Sequence, residues 1–265
     1  MTTQDSCDYY IGLGKRLKLA KSNGNRLRTA MQYTEHNLIP RAIGRSTKWL
    51  QDQVVLALQI EGLEPSCRGY HGFPEDICIS LNEEVAHGIP SKDRIITSED
   101  VIKVDVVANR KGIHVDTCRT FSPGQGNHHN ALHDVAKEAV LEAGKLLLPG
   151  VKMSLINDVL KAVICNRHDM HYIMDLYGHG IGTEIHMPPY IGPGIGDKEE
   201  TAHFGDHIIQ FGDMYALEVF VTETQGSSVQ VGFDGWTLSP TIEGTLSAHY
   251  EDTFFIGQES INLTA

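Results

Sequence analysis

No run of 18 apolar residues occurs in this 265-residue chain, so no membrane-spanning helix is expected. The opening MTTQDSCDYY lacks the basic segment and apolar stretch of a secretory signal, which makes the cytoplasm the expected compartment. Cysteine is sparse and odd in number. Cys7, Cys67, Cys78, Cys118 and Cys165 contain no CxxC pair, which disfavours a structural zinc site and reads as free thiols. Basic residues are the scarcer charge: 22 Lys plus Arg against 34 Asp plus Glu, a net charge of -12. Such a balance disfavours a phosphate backbone as partner, and no nucleic acid is expected. The Gly-rich stretch IGPGIG at 191–196 has no following Gly-Lys-Ser and reads as a loop. His128-His129 sits in a Gly/Asn-rich segment, where solvent exposure is a better reading than ligation.

What is present is ordinary globular composition, with hydrophobic residues at 41% and charged residues at 21%, enough for one large core. Residues 1–37 are expected as an irregular or partly helical segment, because Gly24 interrupts the apolar pattern of 17–33. Residues 38–265 are expected as a single catalytic domain. Ser46 is a plausible cap for a helix from Thr47 to about Ile60, with Leu50, Val54, Val55 and Leu58 as its buried stripe. A second helix is expected from Ala131 to about Leu148, and a third from a Ser154 cap to about Cys165. Short β-rich runs at 76–80, 101–107, 113–121, 215–222 and 249–256 complete an α/β (α+β) chain with antiparallel strands, not a row of βαβ units.

The strands carry chemistry in unusual places. VIKVDVVA at 101–108 and IHVDTCRTF at 113–121 flank NRKG and read as a hairpin. A four-residue turn over 109–112 puts Asp105 directly opposite Asp116, with Cβ atoms roughly 5 Å apart on one face. Val104, Val106 and Val115 then take the core face. Two close carboxylates need a shared proton or a cation, although a solvated face would also satisfy them. His179 lies in GHG at 178–180, where glycines permit close backbone approach, and His186 follows seven residues on. Glu218 interrupts the apolar strand MYALEVFVT, and Glu251 interrupts AHYEDTFFI. A carboxylate inside an apolar strand is costly unless paired or bound to metal. Four carboxylates and one imidazole can hold two divalent ions; Mn, Fe, Co and Zn all tolerate such a set.

The ordered combination of GYHGFPEDICISLNEEVAHGIP (69–90), DVVANRKGIHVDTCRTF (105–121), GHGIG with His186, Glu218 and LSAHYEDTFFI resembles the type I methionine aminopeptidases, from about residue 38 to 257. The resemblance implies a pita-bread fold, with a strongly curved antiparallel sheet flanked by helices, and a monomer. It implies Asp105 on one metal ion, His179 and Glu218 on the other, and Asp116 and Glu251 as bridges. It places His87 near the substrate amine and His186 near the scissile amide. Cys67, Tyr70, Phe73, Cys78 and Trp236, with Ile185 beside His186, match a small methionine pocket. The implied reaction is removal of N-terminal methionine from peptides or nascent chains. A metal-bridging hydroxide attacks the first peptide carbonyl, with Glu218 as base.

The sequence departs from that family in three ways. Val219-Phe220 follows Glu218 where Glu-Pro is usual. The segment after His186 is long and acidic at 197–206. The start is short, with no zinc-finger extension. A specialised paralogue with another peptide substrate is therefore the first alternative. A non-catalytic binding protein on the same fold is the second. Proline dipeptidases of this fold usually carry a further N-terminal domain, for which 265 residues leave no room.

Overall fold

The computed structural model describes residues 3–124, 130–197 and 199–265, with side chains for all of these except 3–11 and 130. His128 and His129 lie outside the described residues. The chain opens with helix α1 (Thr3–Tyr33), continues through a π-turn at 34–38 and a 3-10 turn at 39–41, and enters α2 (Thr47–Ile60). Short strands β1 (Glu64–Pro65) and β2 (Cys78–Leu81) precede the hairpin β3 (Ile102–Arg110) and β4 (Ile113–Phe121). Helices α3 (Asn130–Gly144) and α4 (Met153–Lys161) follow, and a π-helical turn extends α4 to Arg167. Then come β5 (His171–Tyr172), β6 (Gly178–Gly180), β7 (Met187–Ile191), α5 (Glu199–Gly205) and β8 (Met214–Thr222). A small ribbon of β9 (Val229–Val231) and β10 (Leu238–Pro240) leads to β11 (Ser247–Ile256) and β12 (Ser260–Asn262).

Ten of these strands share one antiparallel sheet, whose main path runs β1-β3-β4-β11-β8-β6-β7. Strand alternation divides it into two faces. On one face Val104, Val106 and Val115 are sealed against α1 and α2, together with Leu50, Val54 and Leu58. Further along the same face, Leu217, Val219 and Tyr250 pack against α3 and α4. Each such side chain contributes about 1.5–3 kcal/mol on burial. The opposite face carries Asp105, Asp116, Glu218 and Glu251.

Several local expectations need correction. The first segment is one helix of 31 residues, because Ala20, Leu27, Ala30 and Met31 recur at helical spacing and are buried in the core. That packing outweighs the propensity cost of Gly24. Ser46 caps α2 as expected, its hydroxyl accepting from the Trp49 N–H at 3.1 Å. Val55 is only partly buried beside that stripe. Ser154 does not cap α4; the cap position is Lys152, without a side-chain bond, and Ser154 lies inside the helix. The second helix stops at Gly144, and 145–150 close in turns. The acidic stretch at 197–206 contains helix α5.

The hairpin register also differs. Arg110 pairs with Ile113, so the turn holds only Lys111 and Gly112, with φ of 55° and 73°. Two successive positive φ angles are those of a two-residue turn matched to strand twist. Asp105 therefore faces Cys118, and Asp116 faces Val107. The aspartates are diagonal neighbours on the same face, not directly opposed. Among the described residues no helix is long and apolar enough to cross a membrane.

Candidate metal centre

The site is assembled from strands that bring their inner-face residues into one row. Glu218 on β8 is paired directly with Glu251 on β11, and Glu251 is paired on its other side with Cys118 on β4. The β4–β11 ladder is short, and side chains reinforce it. Thr253 Oγ1 accepts from the Asp116 N–H at 2.7 Å and donates to the Asp116 carbonyl at 2.8 Å. Arg119 donates to the Glu251 carbonyl at 2.6 Å and pairs with buried Asp252 at 2.7 Å. These contacts fix the backbone beneath Asp116 and Glu251.

His179 joins from β6, which pairs with β8 at Ala216. A Cβ on Gly178 would lie 2.4 Å from the Ala216 carbonyl, so only glycine allows that approach. The His179 Nδ1–H donates to the Gly180 carbonyl at 3.0 Å, which leaves the Nε2 lone pair for the site. That Nε2 stands 3.9 Å from an Asp116 carboxylate oxygen. Asp116, His179 and Glu251 form one convergent donor triad, and Glu218, His249 and Glu251 form another. Asp105 lies beside both on β3.

The electrostatics of this group are severe. Burial pushes the Asp105 carboxyl up to about 6; the nearby His249 draws it back and Glu218 raises it again. Burial pushes Glu218 up to about 8. Asp116 and Glu251 are driven well above the carboxylate range, first by burial and then by the charges of Asp105 and Asp116 respectively. Burial holds His179 down to about 3, and His87 and His249 to about 4. Asp116 Oδ1 and Glu251 Oε1 are buried without a hydrogen-bond partner. Orphaned carboxylate oxygens beside neutral imidazoles are the donor set that divalent cations satisfy, so the residues fit such ions.

Next to the carboxylates lies a small apolar cluster. Cys67, Phe73, Cys78, Val107 and Ile185 are buried together, with Tyr70, Ile89 and Trp236 packed against them. Cys67, Cys78, Cys118 and Cys165 are free thiols. Trp236 meets Phe73 edge-on at 5.2 Å, and the His87 ring lies 6.5 Å from Trp236. His87 has a φ of 55°. Its approach segment is pinned by the ribbon: Val85 N–H donates to the Leu238 carbonyl and Leu238 N–H to that of Ala86. His186 is exposed, within 2.8 Å of the Tyr70 hydroxyl and with its ring 4.3 Å from that of His179.

The structure brings Asp116, His179, Glu218 and Glu251 together, with Asp105 on the same face, and packs Cys67, Tyr70, Phe73, Cys78, Ile185 and Trp236 in one cluster, with His87 beside Trp236 and His186 beside Tyr70 and His179. Three further residues belong there: His249, Val107 and Ile89. His249 and Val107 carried a usable signal. His249 is two residues before Glu251 and Val107 two after Asp105, so strand alternation alone puts each beside a proposed ligand. Ile89 offered no such signal.

Comparison with known proteins gives a consistent picture. The sequence profile of metallopeptidase family M24 matches residues 20–258. The chain is 33% identical over 199 residues to a methionine aminopeptidase of Buchnera aphidicola subsp. Schizaphis graminum, covering 75% of this chain and 72% of that one. It is 30% identical over 222 residues to methionine aminopeptidase 1 of Bacillus subtilis, covering 83% and 85%. The crystal structure of methionine aminopeptidase from Thermotoga maritima superposes with a TM-score of 0.83 at 26% identity, covering 94% and 96%. The fold is the pita-bread fold.

Proposed function

The chain belongs to metallopeptidase family M24, and on that premise we propose that it removes N-terminal methionine from peptides or nascent chains with two divalent ions as cofactors. The observation that carries the reading is adjacency: an apolar cluster that includes Cys67 and Cys78 abuts the row of buried carboxylates, and we read it as the pocket for the first side chain. Cys78, in the pocket wall, is paired directly with Asp105. Val107, also in that wall, faces Asp116. A methionine side chain suits this pocket, being unbranched and polarizable. Once it is seated there, the free α-amine falls on the aspartate side and the first carbonyl toward the glutamates.

Asp105, Asp116, His179, Glu218 and Glu251 would hold the ions. When bound, these ions supply Lewis acidity and lower the pKa of a water in the site. Glu218 serves as general base, since β8 sets its carboxylate directly beside Glu251 in the row that would hold the ions. His186, near the scissile amide, hydrogen-bonds the developing negative charge, with Tyr70 orienting its ring. His87 sits on the amine side beside Trp236. We propose a monomer acting in the cytoplasm.

The test is a panel of matched peptides after metal reconstitution: Met or Leu first, Gly or Phe second, amine free or acetylated. The expected product is methionine, released only from the free amine and faster when the second residue is small. Equal cleavage of acetylated peptides would eliminate an aminopeptidase. Preference for another first residue would favour the specialised paralogue, and no cleavage at full metal content would favour the binding protein.

A further inference from the structure

We propose that Lys103 is a positioning residue for the reaction above: its amine clamps the turn at 82–84 and so holds His87, in the same segment, at the substrate side of the centre. The inference rests on the aminopeptidase reading for what His87 does. It comes from the setting of a buried lysine whose partners are backbone carbonyls.

Lys103 precedes Asp105 by two residues on β3, so strand alternation puts both on the ligand face. Lys103 is only 1% exposed, and lysine is almost never buried to that extent unless its amine is held. The amine donates to the Asn82 carbonyl and to the Glu84 carbonyl, each at 2.8 Å. Burial pulls its pKa down to about 8, yet the neutral amine still carries two N–H donors, one for each carbonyl. The clamp therefore needs no charge.

The clamped segment carries two non-glycine residues with left-handed backbone, Asn82 at a φ of 56° and His87 at 55°. Such conformations persist where the surroundings hold them. The Asn82 N–H donates to the Val101 carbonyl, and Asn82 Oδ1 accepts from the Val101 N–H, each at 2.9 Å. The Glu84 carboxylate accepts from the Leu81 N–H at 2.8 Å and pairs with Arg94. Beyond it the ribbon grips Val85 and Ala86, and Ser80 Oγ accepts from the Gly88 N–H at 3.0 Å. His87 lies between these anchors. Lys103 ties the segment to β3 itself, two residues from Asp105, and so sets His87 relative to a proposed ligand.

Lys103→Met keeps the length of the stem and removes the N–H donors. It should lower kcat/KM for a methionyl peptide on the order of a hundredfold at unchanged metal content, the loss that a misplacement of about 1 Å can cause. Lys103→Gln keeps two N–H donors without a charge and should lose no more than about fivefold. In a His87→Ala background, Lys103→Met should cost less than about twofold more, because both changes remove one function. Histidine-ring NMR reads the clamp without turnover: the His87 signal should move in Lys103→Met and hold its place in Lys103→Gln. If Lys103→Met does not fold, Lys103→Ala, which admits water to the two carbonyls, takes its place with the same expectations. An unmoved His87 signal would overturn the proposal, as would additive losses in the double variant. Equal impairment of Lys103→Gln and Lys103→Met would overturn it too, by making charge the active element. A wild-type protein inert towards methionyl peptides would overturn the aminopeptidase reading, and the His87 signal would then decide the clamp alone.

Discussion

The two carboxylate pairs of the centre are built in opposite ways. Asp105 and Asp116 are short side chains on a hairpin closed by two residues, and they sit on the diagonal. Glu218 and Glu251 are longer and directly opposed, on strands separated in sequence by a ribbon that lies off the main sheet. The aspartates border the apolar cluster through Cys78 and Val107. The glutamates border His249 and the stacked Phe220. On the proposed function, the difference assigns one half of the site to receiving a substrate end and the other to moving a proton.

The largest expected effect tests that division. Glu218→Gln should lower kcat on the order of 10²–10⁴-fold at matched metal content, because the amide cannot take a proton. Asp105→Asn should chiefly raise KM and weaken one ion. Steady-state kinetics beside metal analysis decide it, and an equal loss of kcat in both variants would erase the distinction.

A smaller effect concerns the metal-free protein. Asp105 at about 6 and Glu218 at about 8, with Asp116 and Glu251 higher still, bind protons more tightly in the fold than in the unfolded chain. Their stabilisation is complete below the ordinary carboxylate range and is lost as pH rises through those values. His87, His179 and His249, held at about 4, 3 and 4, act in the other direction, but their contribution is complete above 6.5. Between pH 6.5 and 8 the carboxylates are opposed only as buried Lys103, held down to about 8, begins to lose its proton, and Tm in chelator should fall. Because metal competes with protons for these oxygens, added zinc should raise Tm more at pH 8 than at 6.5. A flat or rising Tm in chelator would place the glutamates in a less buried setting than the one described.

The smallest effect isolates the aspartate side. Gly112→Val forces a branched residue to a φ of 73° and should cost about 1–2 kcal/mol in urea unfolding. The glutamate pair does not depend on this turn. Loss of stability with kcat retained would show that the halves are mechanically separate.

The same contrast explains what could be read from sequence. The hairpin was legible because its partners are adjacent in the chain. Its face assignment was right and its register wrong by one diagonal step, since Lys111 gives little sign of a left-handed conformation. The glutamates were legible only as charges inside apolar strands; their direct pairing depends on a return of 24 intervening residues between β8 and β11. Helix α1 was obscured because Gly24 weakens the local pattern, while the burial that sustains the helix comes from distant β3 and β4. His249 sits inside LSAHYEDTFFI, where alternation alone puts it on the same face as Glu251.

The ribbon of β9 and β10 differs from the other strands in what it carries and where it is attached. It brings Trp236 to the pocket and clasps the segment leading to His87, yet it forms its own two-stranded sheet. Its length and side chains can therefore vary without shifting the register of any ligand-bearing strand. In evolutionary terms it is an exchangeable cassette: a lineage could retune which first residue is accepted by rewriting 229–240 alone, while the metal-binding framework descends unchanged.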